Sequence, residues 1–154
     1  MILDKLFKKE PKPKMLERVE AFKKLKAEDL LIEEFMIDKK GEAVYLIVTI
    51  SDCDGAKIGK INIFDYKNSN DKVIFYINND ELVLGDIQIF KTKNRGIGTK
   101  VIPILERVAM IYNLTKITGD LFSTDESNLE RQVHFYQKNG FKIINGLLEK
   151  NIKY

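Results

Sequence analysis

Tryptophan is absent from this chain, and cysteine and histidine occur once each, as Cys53 and His134. A single thiol excludes an intramolecular disulfide framework, and one cysteine with one histidine leaves no cluster at metal-ligand spacing. Long apolar runs are missing too. No segment approaches the roughly 20 apolar residues that span a bilayer. The opening MILDKLFKKEPKPK is too charged for a secretory leader. The expectation is a cytoplasmic chain that works without a membrane. A strong excess of one charge is also lacking: 26 Lys and Arg stand against 23 Asp and Glu, a net charge of +3. Signs alternate closely along the chain. That pattern reads as a solvated surface, and it argues against a nucleic-acid partner.

What is present suffices for a real core. The chain has 154 residues, 44% of them hydrophobic, which is enough for one domain without staples. Residues 1–14 read as a lysine-rich N-terminal arm broken by Pro11 and Pro13, and 15–154 as a single domain. Met15, Leu16, Val19, Phe22 and Leu25 recur at the spacing of an amphipathic helix. Five strand candidates follow: Leu31–Ile37, Glu42–Ile50, Ala56–Tyr66, Lys72–Ile77 and Glu81–Phe90. Turn signals separate them, and such short links predict an antiparallel meander.

The grammar then changes. Lys100–Tyr112 carries an apolar face at helical spacing, although Pro103 predicts a late start or a bend. Lys116–Phe122 reads as a strand. Ser127 and Glu130 form an S-x-x-E capping box, opening a helix that stops at Gly140. A hairpin around Asn145-Gly146 closes the chain. A strand–helix–strand unit joins parallel neighbours, so the fold class is α+β, with a mixed, mostly antiparallel central sheet flanked by helices.

The stretch with most chemistry in it is Ile87–Thr99, IQIFKTKNRGIGT. An apolar strand runs into a loop bearing Lys93, Arg95, Gly96 and Gly98, and a helix follows at once. Free amides and the positive helix end converge there, glycine permits close approach, and the result suits a polyphosphate. Later in the chain, Phe135–Phe141 reads FYQKNGF. Taken together, the two stretches resemble the GNAT superfamily of acyl-CoA-dependent N-acetyltransferases. Its acetyl-CoA loop has the form R/Q-x-x-G-x-G/A, with Lys93 here in the first place, and its later helix often ends in an fYxkxGF pattern. The resemblance covers roughly residues 81–152.

That resemblance implies a V-shaped parting of the Glu81–Phe90 strand from its parallel neighbour, with the acyl-pantetheine arm pairing to Ile87, Gln88 and Ile89. It implies a pyrophosphate held by the backbone of Asn94, Arg95, Gly96, Ile97, Gly98 and Thr99, with Lys93 and Arg95 adding charge-assisted contacts. Tyr136 becomes the acid for the departing thiolate; a phenol near its reference pKa of about 10 is protonated at neutral pH. The alternative for Tyr136 is a helix tyrosine packed into the core beside Phe135. The family's cofactor-contacting asparagine falls where this chain has Leu129, so Asn128 stands one residue early.

No general base matches a family position. Glu81, Asp86 and Asp120 are the nearest carboxylates and read as solvent-facing, and His134 reads as a surface residue. The implied activity is transfer of an acetyl group from acetyl-CoA to a primary amine. Its alternatives are a GNAT-like module that senses CoA or an acyl-CoA without turnover, and an interaction protein with a basic loop. The family usually places a strand and two helices ahead of its meander, and here a single helix precedes five strands. The acceptor wall is therefore reduced or built differently, and a homodimer would be one way to complete it.

Overall fold

The computed structural model describes residues 12–67, 71–88, 96–121 and 126–154, with backbone alone at 86–88 and 126–127. Among these lie three helices, α1 (Pro13–Leu25), α2 (Ile97–Ile111) and α3 (Glu126–Lys138). The strands are β1 (Leu30–Ile37), β2 (Ala43–Cys53), β3 (Ala56–Phe64), β4 (Lys72–Asn78), β5 (Glu81–Gln88), β6 (Lys116–Asp120), β7 (Lys142–Ile144) and β8 (Leu147–Asn151). Their hydrogen-bonded order is β1-β2-β3-β4-β5-β6-β8-β7. The meander, and the mixed α+β class it belongs to, are those expected from the sequence. The chain divides into two compact units, Met1–Ile74 with Ile87–Gly98, and Phe75–Asp86 with Thr99–Tyr154.

In the first unit α1 begins two residues ahead of the expected Met15. Pro13 occupies its first turn after an extended Lys12, a position where proline's missing N–H costs nothing and its fixed φ already suits the helix. Met15 and Val19, one turn apart, are the buried residues of α1 and pack with Ala43 and Ile47 of β2. Phe22 meets Phe64 with ring centroids 5.1 Å apart. On the outer side Lys23 pairs with Glu33 of β1 at 3.0 Å, and Arg18 donates to the carbonyl of Asp65. The run Val44, Leu46, Ile47 and Val48 is buried throughout, so β2 is covered on both faces. It pairs with β1 from Ile37↔Ala43 and with β3 up to Cys53↔Ala56. Asp54 and Gly55 turn that second hairpin with φ of 50° and 86°, the left-handed pair of a two-residue hairpin. Because the turn is so tight, β2 extends to Cys53 rather than stopping at Ile50.

The second unit contains the parallel pair. β5 and β6 run in register from Glu81↔Lys116 to Leu84↔Gly119, and β8 pairs antiparallel to the other side of β6. Asn145 and Gly146, with φ of 50° and 76°, turn the expected closing hairpin. Helix α2 buries Val101, Ile102, Leu105, Val108 and Ala109. It starts at Ile97, earlier than Pro103 led the sequence to predict. Pro103 lies on the exposed side, where solvent can take up the carbonyl its ring leaves without a partner. Helix α3 begins at Glu126, placing Ser127 inside the helix rather than ahead of it. The expected strand ends at Phe90 and Phe122, the arm over residues 1–11, and the turn at 68–70 lie outside the described residues.

At its C-terminus α3 closes with a left-handed Gly140, φ 87°. The Phe141 N–H donates to the Tyr136 carbonyl at 3.0 Å, and the Gly140 N–H to the Gln137 carbonyl at 3.1 Å. This double bond pattern is the Schellman cap. Lys150 of β8 locks it by donating to the Asn139 carbonyl at 2.6 Å and to Glu106 of α2 at 2.7 Å. A Cβ on Gly140 would stand 3.3 Å from the Lys150 ammonium. Gly140→Ala should therefore cost about 1–2 kcal/mol of stability through left-handed strain. A urea midpoint lowered at constant m-value would show it, and an unchanged midpoint would refute it.

Candidate functional site

β5 outlasts its parallel neighbour's pairing. The last shared rung is Leu84↔Gly119. A Cβ on Gly119 would lie 3.1 Å from Leu84 Cβ, so glycine is what allows the strands to close to that distance. Beyond the rung, Gly85, Asp86, Ile87 and Gln88 continue the strand without a β6 partner. The sequence placed the cofactor's backbone contacts on Ile87, Gln88 and Ile89; the first two lie in this overhanging stretch, and Ile89 is outside the described residues. So are Lys93, Asn94 and Arg95.

From Gly96 onward the chain is described again. Gly96 has φ 81°, the left-handed region, and α2 begins at the next residue. The amides of Ile97, Gly98 and Thr99 belong to the first turn, where a helix supplies no carbonyl acceptor. No acidic side chain occupies that turn, and Lys100 is the charged residue within it. Beside Gly96 lies a group the sequence reading missed. The stem of Lys39, from the turn between β1 and β2, comes within 3.3 Å of where a Gly96 Cβ would stand. Lys39-Lys40-Gly41 carried no signal beyond that of a turn, because the contact joins residues far apart in the chain.

Tyr136 is 9% exposed. Its ring stands edge-on to Phe135 at 5.2 Å and to Phe141 at 5.3 Å between centroids. The Phe141 contact is the hydrophobic partner of the Schellman cap, which joins the residue after the glycine to the last full turn. Burial pushes the phenol up to about 12, so Tyr136 is protonated at neutral pH. It is thus an anchored packing residue and a retained proton at once. Asn128 is exposed on the first turns of α3.

The carboxylates divide. Glu81 pairs with Lys116 at 3.2 Å and accepts a hydrogen bond from Thr118 at 3.2 Å. Lys116 is raised above its usual pKa, first by the Glu81 hydrogen bond. Asp120 and His134 are exposed, as expected. Among the described residues no group of His, Cys, Asp and Glu could hold a metal ion. No described helix is long and apolar enough to cross a membrane.

This arrangement of meander, parallel pair, glycine turn and helix recurs in solved structures. The GNAT domain of the S. lividans protein PAT superposes with a TM-score of 0.59 at 10% identity, over 77% of this chain and 96% of that one. An acetyltransferase of the GNAT family from Staphylococcus aureus gives 0.52 at 18% identity, over 62% and 68%. The paia N-acetyltransferase of Thermoplasma acidophilum, solved in complex with coenzyme A, gives 0.50 at 16%, over 63% and 61%. The chain has the GNAT fold. No family model matches it. In sequence it is 30% identical over 112 residues to the uncharacterized Bacillus subtilis protein YocC, covering 70% of this chain and 66% of that protein.

The Tyr136 shift gives a pH test. The folded pKa exceeds the unfolded value of about 10, so the associated stability is complete below pH 10 and is lost as pH rises toward 12. Wild type should lose on the order of 2–3 kcal/mol across that window beyond what Tyr136→Phe loses. Parallel stability curves for the two proteins would show that burial does not perturb this phenol.

Proposed function

We propose that this chain is an acyltransferase carrying an acetyl group from acetyl-CoA to a primary amine. The observation that carries the reading is the overhang of β5. Its backbone passes the last β6 rung at Leu84↔Gly119 and continues for four residues, Gly85 to Gln88. An extended amide-bearing chain such as pantetheine can add to such backbone as a strand would. The pyrophosphate then falls to the backbone of Asn94–Thr99, helped by Lys93 and Arg95, and Asn128 is a further candidate contact. The coenzyme A complex of a protein with the same fold supports that assignment.

In this reading the amine attacks the thioester carbonyl, the tetrahedral oxyanion is met by strand amides, and collapse expels the thiolate. Tyr136 O–H supplies the proton that the thiolate takes up, and the amine's proton passes to solvent. The protonated state that burial gives Tyr136 suits a donor. A second reading, a CoA-binding module without turnover, is favoured because Glu81, one of the candidate carboxylates, is held by Lys116 and Thr118.

Calorimetry with CoA and pantetheine, followed by thiol release from acetyl-CoA over an amine panel, separates these outcomes. CoA should bind at least about tenfold more tightly than pantetheine, which lacks the phosphates that charge-assisted contacts hold. Gly98→Glu should abolish that preference through bulk and repulsion. Tyr136→Phe should lower turnover roughly ten- to a thousandfold with CoA affinity kept. Binding without thiol release from any amine would establish the sensor; no CoA binding at all would overturn both readings.

A further inference from the structure

We propose that Gln132 is a substrate-binding residue, its side-chain oxygen accepting an N–H of the substrate held against Tyr136. The inference rests on the acyl-CoA reading above. A less exposed side of α3 runs through Leu129, Gln132, Val133 and Tyr136. Their spacing of i, i+3, i+4 and i+7 marks the stripe that an amphipathic helix gives to apolar residues. Gln132 sets an amide into that stripe. Its Oε1 is buried from solvent, and among the described residues it meets no hydrogen-bond donor. A glutamine on an outer helix ordinarily turns its amide to water. This oxygen does not.

Buried acceptors in folded chains nearly always have a donor. One left without it lowers stability, where an apolar side chain of the same shape would not. Sequences break such local rules chiefly at functional sites. Tyr136 indicates which function. It stands four residues on from Gln132, on the same face and one turn along the helix. Its hydroxyl also makes no hydrogen bond among the described residues. A donor and an acceptor, both without partners, are thus neighbours within the second unit. In the reaction proposed above, the Tyr136 O–H faces the departing sulfur. The acceptor beside it then calls for an N–H close to that sulfur. The substrates offer two: the pantetheine amide nearest the sulfur, and the amine that attacks the thioester carbon. A neutral amide oxygen can take either, and it repels any group that is itself only an acceptor.

The test joins stability to binding in Gln132→Met and Gln132→Leu, which keep most of the side chain's bulk and remove its acceptor. Both should melt at or above wild type, because a buried group without a partner is gone. Calorimetry with pantetheine, CoA and adenosine 3′,5′-bisphosphate, which lacks the arm, then locates the donor. Pantetheine and CoA weakened together by roughly two- to tenfold, with the bisphosphate unchanged, assign Oε1 to the pantetheine amide. Unchanged CoA affinity with a similar rise in the amine's KM, read by thiol release from acetyl-CoA, assigns it to the amine. Variants that melt well below wild type with every affinity kept would show that Gln132 serves the fold alone, and would overturn the inference. Variants matching wild type in pantetheine affinity and in KM would overturn it too; where no amine is turned over, pantetheine affinity alone decides. These outcomes leave the acyl-CoA reading standing. Failure of wild type to bind CoA would instead remove that reading and the role of Gln132 with it.

Discussion

Two parallel strands that stop pairing before one of them ends leave backbone amides and carbonyls without partners, and the interior of a sheet does not tolerate that for long. Gly119 stands at the last shared rung. With no Cβ, it allows β6 to reach Leu84, and past that rung β5 continues through Gly85, Asp86, Ile87 and Gln88 with no β6 partner among the described residues. A polar strand edge is ordinarily a liability that proteins cover or charge. Here a ligand that is itself an extended amide chain matches the overhang in backbone chemistry. The functional reading depends on that match in backbone chemistry more than on any single side chain.

Tyr136 shows how one residue can satisfy fold and chemistry together. Its carbonyl accepts the Schellman bond from Phe141, and its ring packs on Phe141 and Phe135. These contacts keep it in place and, through desolvation, keep its proton. The Y-x-x-x-G-F spacing is therefore accounted for by helix capping before any catalytic role is invoked. Lys150, reaching both the Asn139 carbonyl and Glu106, ties that cap to α2.

Much of this was legible in the chain because much of it is local. Asp54-Gly55, Asn145-Gly146 and Gly140 announced their turns, and each adopts the left-handed backbone that those residue types tolerate. Alternating apolar residues located the strands. Ends proved less readable: Pro13 looked like a breaker and is a helix starter, and Pro103 suggested a late helix that solvent exposure renders unnecessary. What the sequence hid is tertiary. The parallel register ending at Gly119, the engagement of Glu81 by Lys116 and Thr118, and the Lys39 stem over Gly96 each join distant residues, with no period or motif to signal them. A single helix, α1, precedes the meander where the family resemblance implies a strand and two helices, so the amine's identity has no counterpart in the local pattern.

Amide chemical-shift mapping with CoA tests the central claim most directly, because it reads the backbone that the claim is about. Addition of CoA should shift the amides of Gly85–Gln88 and of Gly96–Lys100 and leave the hairpin at Lys142–Asn151 unmoved. Shifts confined to that hairpin or to α1, or a spectrum that CoA does not alter, would contradict the account.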